Sequence, residues 1–230
     1  MKIHNLNLFA NILIYYTINS INLGLLFKTI IMETQNRFIE HYKKGFSPWV
    51  HEDPDFNLVE MADNWPIKPC KTFEPGCGTG TDSIWLSQNG FQLTASDVSP
   101  IAIDLANENA AAQNAELDFK VMDFLTGSLN PKEYGFVFDR GFFHSFDSHK
   151  ERIEIAKRMA YILEDNGLWL SLIGNADGVK TDPGPPLRSA EHIVKAIEPY
   201  FKILSIRASH FGNDEAKPAR IWVCLMRKRN

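Results

Sequence analysis

The residues most able to do chemistry are Pro75–Gly76–Cys77–Gly78–Thr79–Gly80, with Glu74 before them and Asp82 just after. Glycine accepts positive φ and lets a backbone come close to a ligand. A strand, a glycine turn and a helix in succession are how doubly wound α/β folds receive nucleotides. The spacing chooses among nucleotides. A dinucleotide fingerprint has its third glycine three residues after the second; here Thr81 stands in that place and the glycine comes one residue early, at Gly80. A pyrophosphate needs bare N–H groups and the positive end of a helix. Two flanking carboxylates repel a phosphate, whereas Glu74 suits an ammonium group. The ligand expected is a nucleoside with an amino-acid tail and no phosphate.

S-adenosylmethionine has that shape, and the rest of the chain supplies groups for its parts. Asp97 ends the second predicted strand, about twenty residues past the turn, where a carboxylate accepts from both ribose hydroxyls. Val98 lies beside it. Asp123, between Met122 and Phe124, suits an adenine ring: the carboxylate takes the exocyclic amino group and an apolar neighbour packs near the ring. Phe38 and Trp49 offer aromatic faces to a sulfonium cation, or else pack a lid onto the core. At the end of the fourth strand stand Asp139, Arg140 and His144. Arg140 can pair with the methionine carboxylate. Asp139 and His144 are the candidate catalytic residues, His144 being either a base or a partner of the backbone.

These groups have to be positioned by alternating strands and helices. Strands are predicted at 70–74, 91–96, 117–121, 134–139 and 168–173, the fourth with the near-continuous apolar run of a buried parallel strand. Helices fall at 35–44, 58–64, 82–88, 149–163 and from Ser189, with Ser99–Pro100 opening another, whose buried side is marked by Ile101, Leu105 and Ala106. Asn166–Gly167 is expected to turn the chain into the fifth strand, and Gly174 to Pro186 to shape the substrate pocket. The last two strands, Phe201–Ile206 and Arg220–Met226, are separated by a loop too short for a helical crossover, so they run antiparallel.

Composition fits one ordinary domain of 230 residues, with 44% apolar and 23% charged residues. A net charge of −4 argues against a nucleic-acid substrate. Three cysteines, at 70, 77 and 224, form no metal-ligand spacing and point to reduced thiols in the cytoplasm. No metal site is expected. Residues 1–31 differ from the rest: Leu8 to Ile31 is mostly apolar, rich in residues with AT-rich codons, and Met32 follows. They read as a gene-model extension with translation starting at Met32, the alternative being a membrane anchor or targeting segment. The domain is then 32–230, with 33–66 as an N-terminal lid. The expected partner is a small molecule, not nucleic acid, nor a membrane unless 1–31 is real. Nothing bears on oligomeric state, and a monomer is favoured.

From Phe38 to Arg227 the chain resembles class I S-adenosylmethionine-dependent methyltransferases, and more closely the thiopurine and thiol methyltransferase superfamily. The resemblance is carried by Gly45–Phe46–Ser47–Pro48–Trp49, the turn 75–80, Asp97–Val98–Ser99–Pro100, Asp139–Arg140–Gly141–Phe142–Phe143–His144 and Ala219–Arg220–Ile221–Trp222. It implies a Rossmann-like α/β fold: a mostly parallel seven-stranded sheet with an antiparallel last strand and helices on both faces. It also implies cofactor contacts at Phe38, Gly76, Asp97 and Arg140, although tryptophan is common at the position of Phe38. Acceptors in that superfamily are soft nucleophiles: thiols, halides and chalcogens. An oxygen or nitrogen methyltransferase of a small metabolite, with His144 or Asp139 as base, is the alternative, as is a non-catalytic cofactor-binding protein. The glycine spacing, Glu74 and the antiparallel final strand speak against a nicotinamide-dependent oxidoreductase.

Overall fold

The computed structural model describes residues 36–65, 67–180, 184–212 and 218–230. The expectations for residues 1–31 lie outside these. After a first helix over 36–43 (α1) come α2 Phe56–Asn64, β1 Lys71–Pro75, α3 Thr81–Gln88, β2 Gln92–Asp97, α4 Pro100–Ala112, β3 Asp118–Val121, β4 Tyr134–Arg140, α5 His149–Ile162, β5 Leu163–Gly174, α6 Ala190–Ile197, β6 Phe201–His210 and β7 Arg220–Lys228. The seven strands form one sheet in the order β3-β2-β1-β4-β5-β7-β6. β7 runs antiparallel to both β5 and β6, and the other pairings are parallel.

Strand alternation sends successive side chains to opposite faces, and each face has its own core. Val137, Trp169, Ile173, Cys224 and Met226 join Ile155, Met159 and Ile162 of α5 and Ile193 and Ala196 of α6. Their neighbours in sequence, Phe136, Phe138, Leu170, Leu172, Val223 and Leu225, join Leu58 and Met61 of α2, Leu86 of α3 and Ile103 of α4. The helices start where side chains satisfy their unpaired N–H groups. Ser148 and Glu151 form a reciprocal capping box on α5, Ser99 caps α4 with Pro100 in its first turn, and Asp55 caps α2.

Several expectations are corrected. The buried side of α4 is Ala102, Ile103, Ala106 and Ala110, and Leu105 is exposed. Its alanine-rich run leaves helical periodicity few large residues to report on. Asn166–Gly167 does not separate a helix from a strand. β5 already pairs at Leu163 with Tyr134, and the stretch around Asn166, itself at φ 63°, bulges out before Leu168 pairs with Phe136. β6 extends to His210, which shortens the expected loop after it. Among the described residues no helix is long and apolar enough to cross a membrane.

Candidate active site

The parallel strands β1, β2 and β4 deliver Glu74, Asp97 and Arg140 to one edge of the sheet. The glycine turn leaves β1 there, anchored by the Cys77 N–H donating to the Ser96 carbonyl at 3.0 Å. Gly76 and Gly78 take φ of 68° and 56°. A Cβ on Gly76 would lie 2.8 Å from the Phe142 ring, so that position demands glycine on two counts; one on Gly78 would lie 3.0 Å from the Tyr42 hydroxyl, a tight approach beside its positive φ. Gly80 is crowded instead by Phe119 and Ala106, a packing contact between turn, strand and helix. Asp97 braces the turn: Oδ2 accepts from the Gly78 N–H at 3.1 Å and Oδ1 from the Ser99 N–H at 2.9 Å. Burial pushes its carboxyl above the usual range against these hydrogen bonds. The Thr79 carbonyl accepts from Asn109. Burial, with the Asp97 and Glu74 charges, pushes the Cys77 thiol well up, so it stays protonated.

The segment from α1 to Asp55, part of the expected N-terminal lid and called the lid below, packs against this edge. Trp49 is its centre, edge-on to Phe38 with ring centroids 5.3 Å apart and donating its indole N–H to the Tyr42 hydroxyl at 3.0 Å. Phe38 thus packs the lid in this arrangement. Arg140 reaches into the lid: Nε donates to Asp55 Oδ2 at 2.9 Å, Nη1 to the Trp49 carbonyl at 3.1 Å, and the guanidinium stacks 4.3 Å from the Phe211 ring centroid. The sequence expectation put Arg140 on the methionine carboxylate; these contacts tie it to the lid.

Glu74 and Asp82 lie buried together beneath the turn. Glu74 accepts from the Ser83 hydroxyl at 2.5 Å. Burial and the Asp82 charge push it well above the usual carboxylate range, Ser83 opposing. Burial also works on Asp82, but His51, Arg140 and the Asp55 N–H outweigh it and hold that carboxyl below its usual value.

The end of β4 is built differently. Asp139 accepts from the Phe143 N–H at 3.1 Å and from the Trp169 indole N–H at 2.7 Å, and burial pushes its pKa up to about 6. His144 Nδ1 accepts from the Gly174 N–H at 2.8 Å. Its proton therefore sits on Nε2, and burial, with the Arg188 and Arg140 charges, pushes its pKa down to about 3. Asp123 is partly buried and folds back on its own segment, accepting from the Leu125 N–H and the Thr126 hydroxyl. Phe124, expected near an adenine ring, is buried in the core against Phe73 and Phe142. Val98 is half-buried beside Asp97. Tyr42, His51, Asp55, Phe142 and Phe211 belong to this edge and were not singled out for it in the sequence. No cluster of potential metal ligands occurs among the described residues.

Residues 73–167, from β1 into β5, match a family described as a methyltransferase domain. Those residues, under half of the chain, are an S-adenosylmethionine-dependent methyltransferase domain. S-adenosylmethionine is the cofactor of such domains, and the residues here fit it: a cradle in which a Cβ at 76 would collide and one at 78 would be crowded, and buried carboxylates at Glu74 and Asp97. The chain is 25% identical over 169 residues to a probable thiol methyltransferase 2 of Arabidopsis thaliana, covering 72% of this chain and 73% of that protein. A hemagglutinin 1 of Eikenella corrodens is 35% identical over 72 residues, and the chain spans only 24% of its length. Among solved structures, one from a study of the conversion of a disulfide bond into a thioacetal group during echinomycin biosynthesis superposes with a TM-score of 0.70 at 23% identity, covering 84% of this chain and 92% of that one. Magnesium protoporphyrin IX methyltransferase of Synechocystis PCC 6803 with bound S-adenosylmethionine superposes with a TM-score of 0.58 at 16% identity, covering 76% of each. At these identities the superpositions speak for the fold.

Proposed function

We propose that this protein transfers a methyl group to a small soft nucleophile: a thiolate, a halide or a chalcogen anion. The observation that carries the reading is that both polar candidates at the end of β4 are buried and turned toward N–H groups of the core. Both Asp139 oxygens accept hydrogen bonds from the core, and the one basic nitrogen of His144 is occupied by the Gly174 N–H. An acceptor that must lose a proton in the reaction, such as an alcohol, needs a base. A thiol ionises near neutral pH and a halide carries no proton. The thiol methyltransferase relative points the same way.

In this reading Asp97 takes the ribose hydroxyls, Glu74 the amino group, the turn 76–80 the tail, and Asp123 the adenine edge. When bound, S-adenosylmethionine supplies an electrophilic methyl on a sulfonium centre. The lid residues Phe38, Tyr42 and Trp49 exclude water from the line of attack. Glu74 is positioned to release its proton to solvent as the ammonium of the cofactor binds, which leaves the net charge beside Asp82 unchanged. The test is turnover of S-adenosylmethionine with a panel of thiols, iodide, phenols and amines. Activity confined to phenols or amines overturns the soft-nucleophile reading. His144→Ala is expected to keep its turnover within a few-fold; a loss of about a thousandfold, with one limb of the pH profile, would restore His144 as a base.

A further inference from the structure

Two cations and two carboxylates cross between the lid and the body of the domain in opposite directions. From the lid, His51 Nε2 faces Asp82 Oδ2 at 3.4 Å. From the body, Arg140 donates to Asp55 at 2.9 Å. The Asp55 N–H joins the pairs by donating to Asp82 Oδ1 at 2.8 Å. The Thr81 hydroxyl holds the His51 carbonyl at 2.8 Å, tying that residue's backbone to the helix that follows the glycine turn.

The partners of the His51 ring decide its charge. Nδ1 lies 2.6 Å from the Asp53 carbonyl oxygen, and Nε2 faces a carboxylate. Both oxygens are acceptors, and the form that gives Nδ1 a hydrogen for the carbonyl and sets a positive charge against the carboxylate is the imidazolium. The charged groups around it are Asp82 of α3 in contact, Glu74 of β1 behind Asp82, Arg140 at the end of β4, and Asp53 and Asp55 of its own segment. Burial and Arg140 work against the charge. Asp82 and the Asp53 carbonyl outweigh them and raise the ring above its ordinary pKa.

We propose that His51 is a positioning residue that fastens the lid over the glycine turn while its ring is charged, so that its protonation sets the affinity for S-adenosylmethionine. This rests on placing the cofactor at the turn and is independent of the acceptor. The segment fastened here is continuous with Trp49 and with α1, which brings the Tyr42 hydroxyl against Gly78. Loss of the proton removes one of the two donors and leaves Asp82 buried with less compensating charge beside Glu74. Because the folded ring binds its proton more tightly than an unfolded one, the fastening is complete below the ordinary imidazole pKa. It is lost as pH rises through the higher folded value.

The test is calorimetric titration of the full chain with S-adenosylmethionine from pH 6 to pH 9, for the wild type and for His51→Gln. Glutamine keeps a donor for Asp82 and does not titrate. The amino group of the ligand titrates alike in both proteins, so the ratio of their affinities isolates the ring. The wild-type advantage is expected to be about tenfold at the acid end and to vanish at the alkaline end. A ratio that stays constant across the range overturns the proposal. A second measurement needs no variant: the nitrogen–proton spectrum of the wild-type histidine rings at pH 6 should show His51 protonated on both nitrogens, and a neutral His51 overturns the proposal. Wild-type protein that binds no S-adenosylmethionine at any pH overturns the placement of the cofactor itself.

Discussion

Two groups of buried polar residues sit at the same sheet edge, and their partners differ in kind. At the end of β4, Asp139 and His144 are held by N–H groups of the core: Phe143, Trp169 and Gly174. Beneath the glycine turn, Asp82 is held by His51 and the Asp55 N–H, both from the lid, and Glu74 by a single hydroxyl among the described residues. The first group is satisfied whatever the lid does. In the second, the hydroxyl on Glu74 comes from α3, and Asp82 is satisfied only with the lid in place. Burial alone therefore does not mark a reacting group; what marks a binding group is a partner that can be exchanged.

The contrast can be broken at either end. The largest effect is expected from Asp97→Ala. It removes the acceptor that braces the Gly78 N–H and, on our reading, the ribose partner, so cofactor affinity should fall about a hundredfold. An affinity within threefold of wild type would take Asp97 out of the site. His144 should respond oppositely, in stability alone. Its pKa of about 3 in the fold lies below the ordinary value, so the unfolded chain binds the extra proton as pH falls below about 6.5. Between pH 6 and 4.5 the wild type should lose roughly 2 kcal/mol that His144→Asn does not lose, as read by urea unfolding. Equal pH slopes would mean the ring is not held neutral. The smallest effect tests the residue that straddles the two groups. Arg140 lies on β4 yet serves the lid, so Arg140→Ala should weaken cofactor binding about tenfold, with Arg140→Lys recovering only part of it. Full recovery by lysine would reduce the fork-shaped contact to a simple charge.

The strand–turn–helix unit, the place of Asp97 at the end of β2 and the antiparallel end of the sheet were legible because they rest on local spacing and loop length. The direction of Asp139 was legible in principle. Alternation along β4 puts it on the face of Val137, toward Trp169 and α5, and puts Arg140 on the other face with Phe136 and Phe138. The lid contacts were not legible. His51, Asp55 and Arg140 find partners 31, 27 and 85 residues away in sequence, and an acidic loop looks the same whether its charges face solvent or a buried carboxylate. Phe124 misled for a related reason: an aromatic beside an acid fits a ligand ring or a core, and only the Phe73 and Phe142 rings decide it.

The place of β7 in the sheet has a consequence for biogenesis. Residues 220–228 form an inner strand, and β6, made earlier, lies at the outer edge and pairs with β7. During synthesis β6 therefore has no neighbour to dock on until the later strand has been made and threaded between it and β5. The sheet grows outward from β1 but is completed inward. The interval before β7 arrives, with a ten-residue strand lacking its mate, is when this chain is most exposed to intermolecular pairing and chaperone capture.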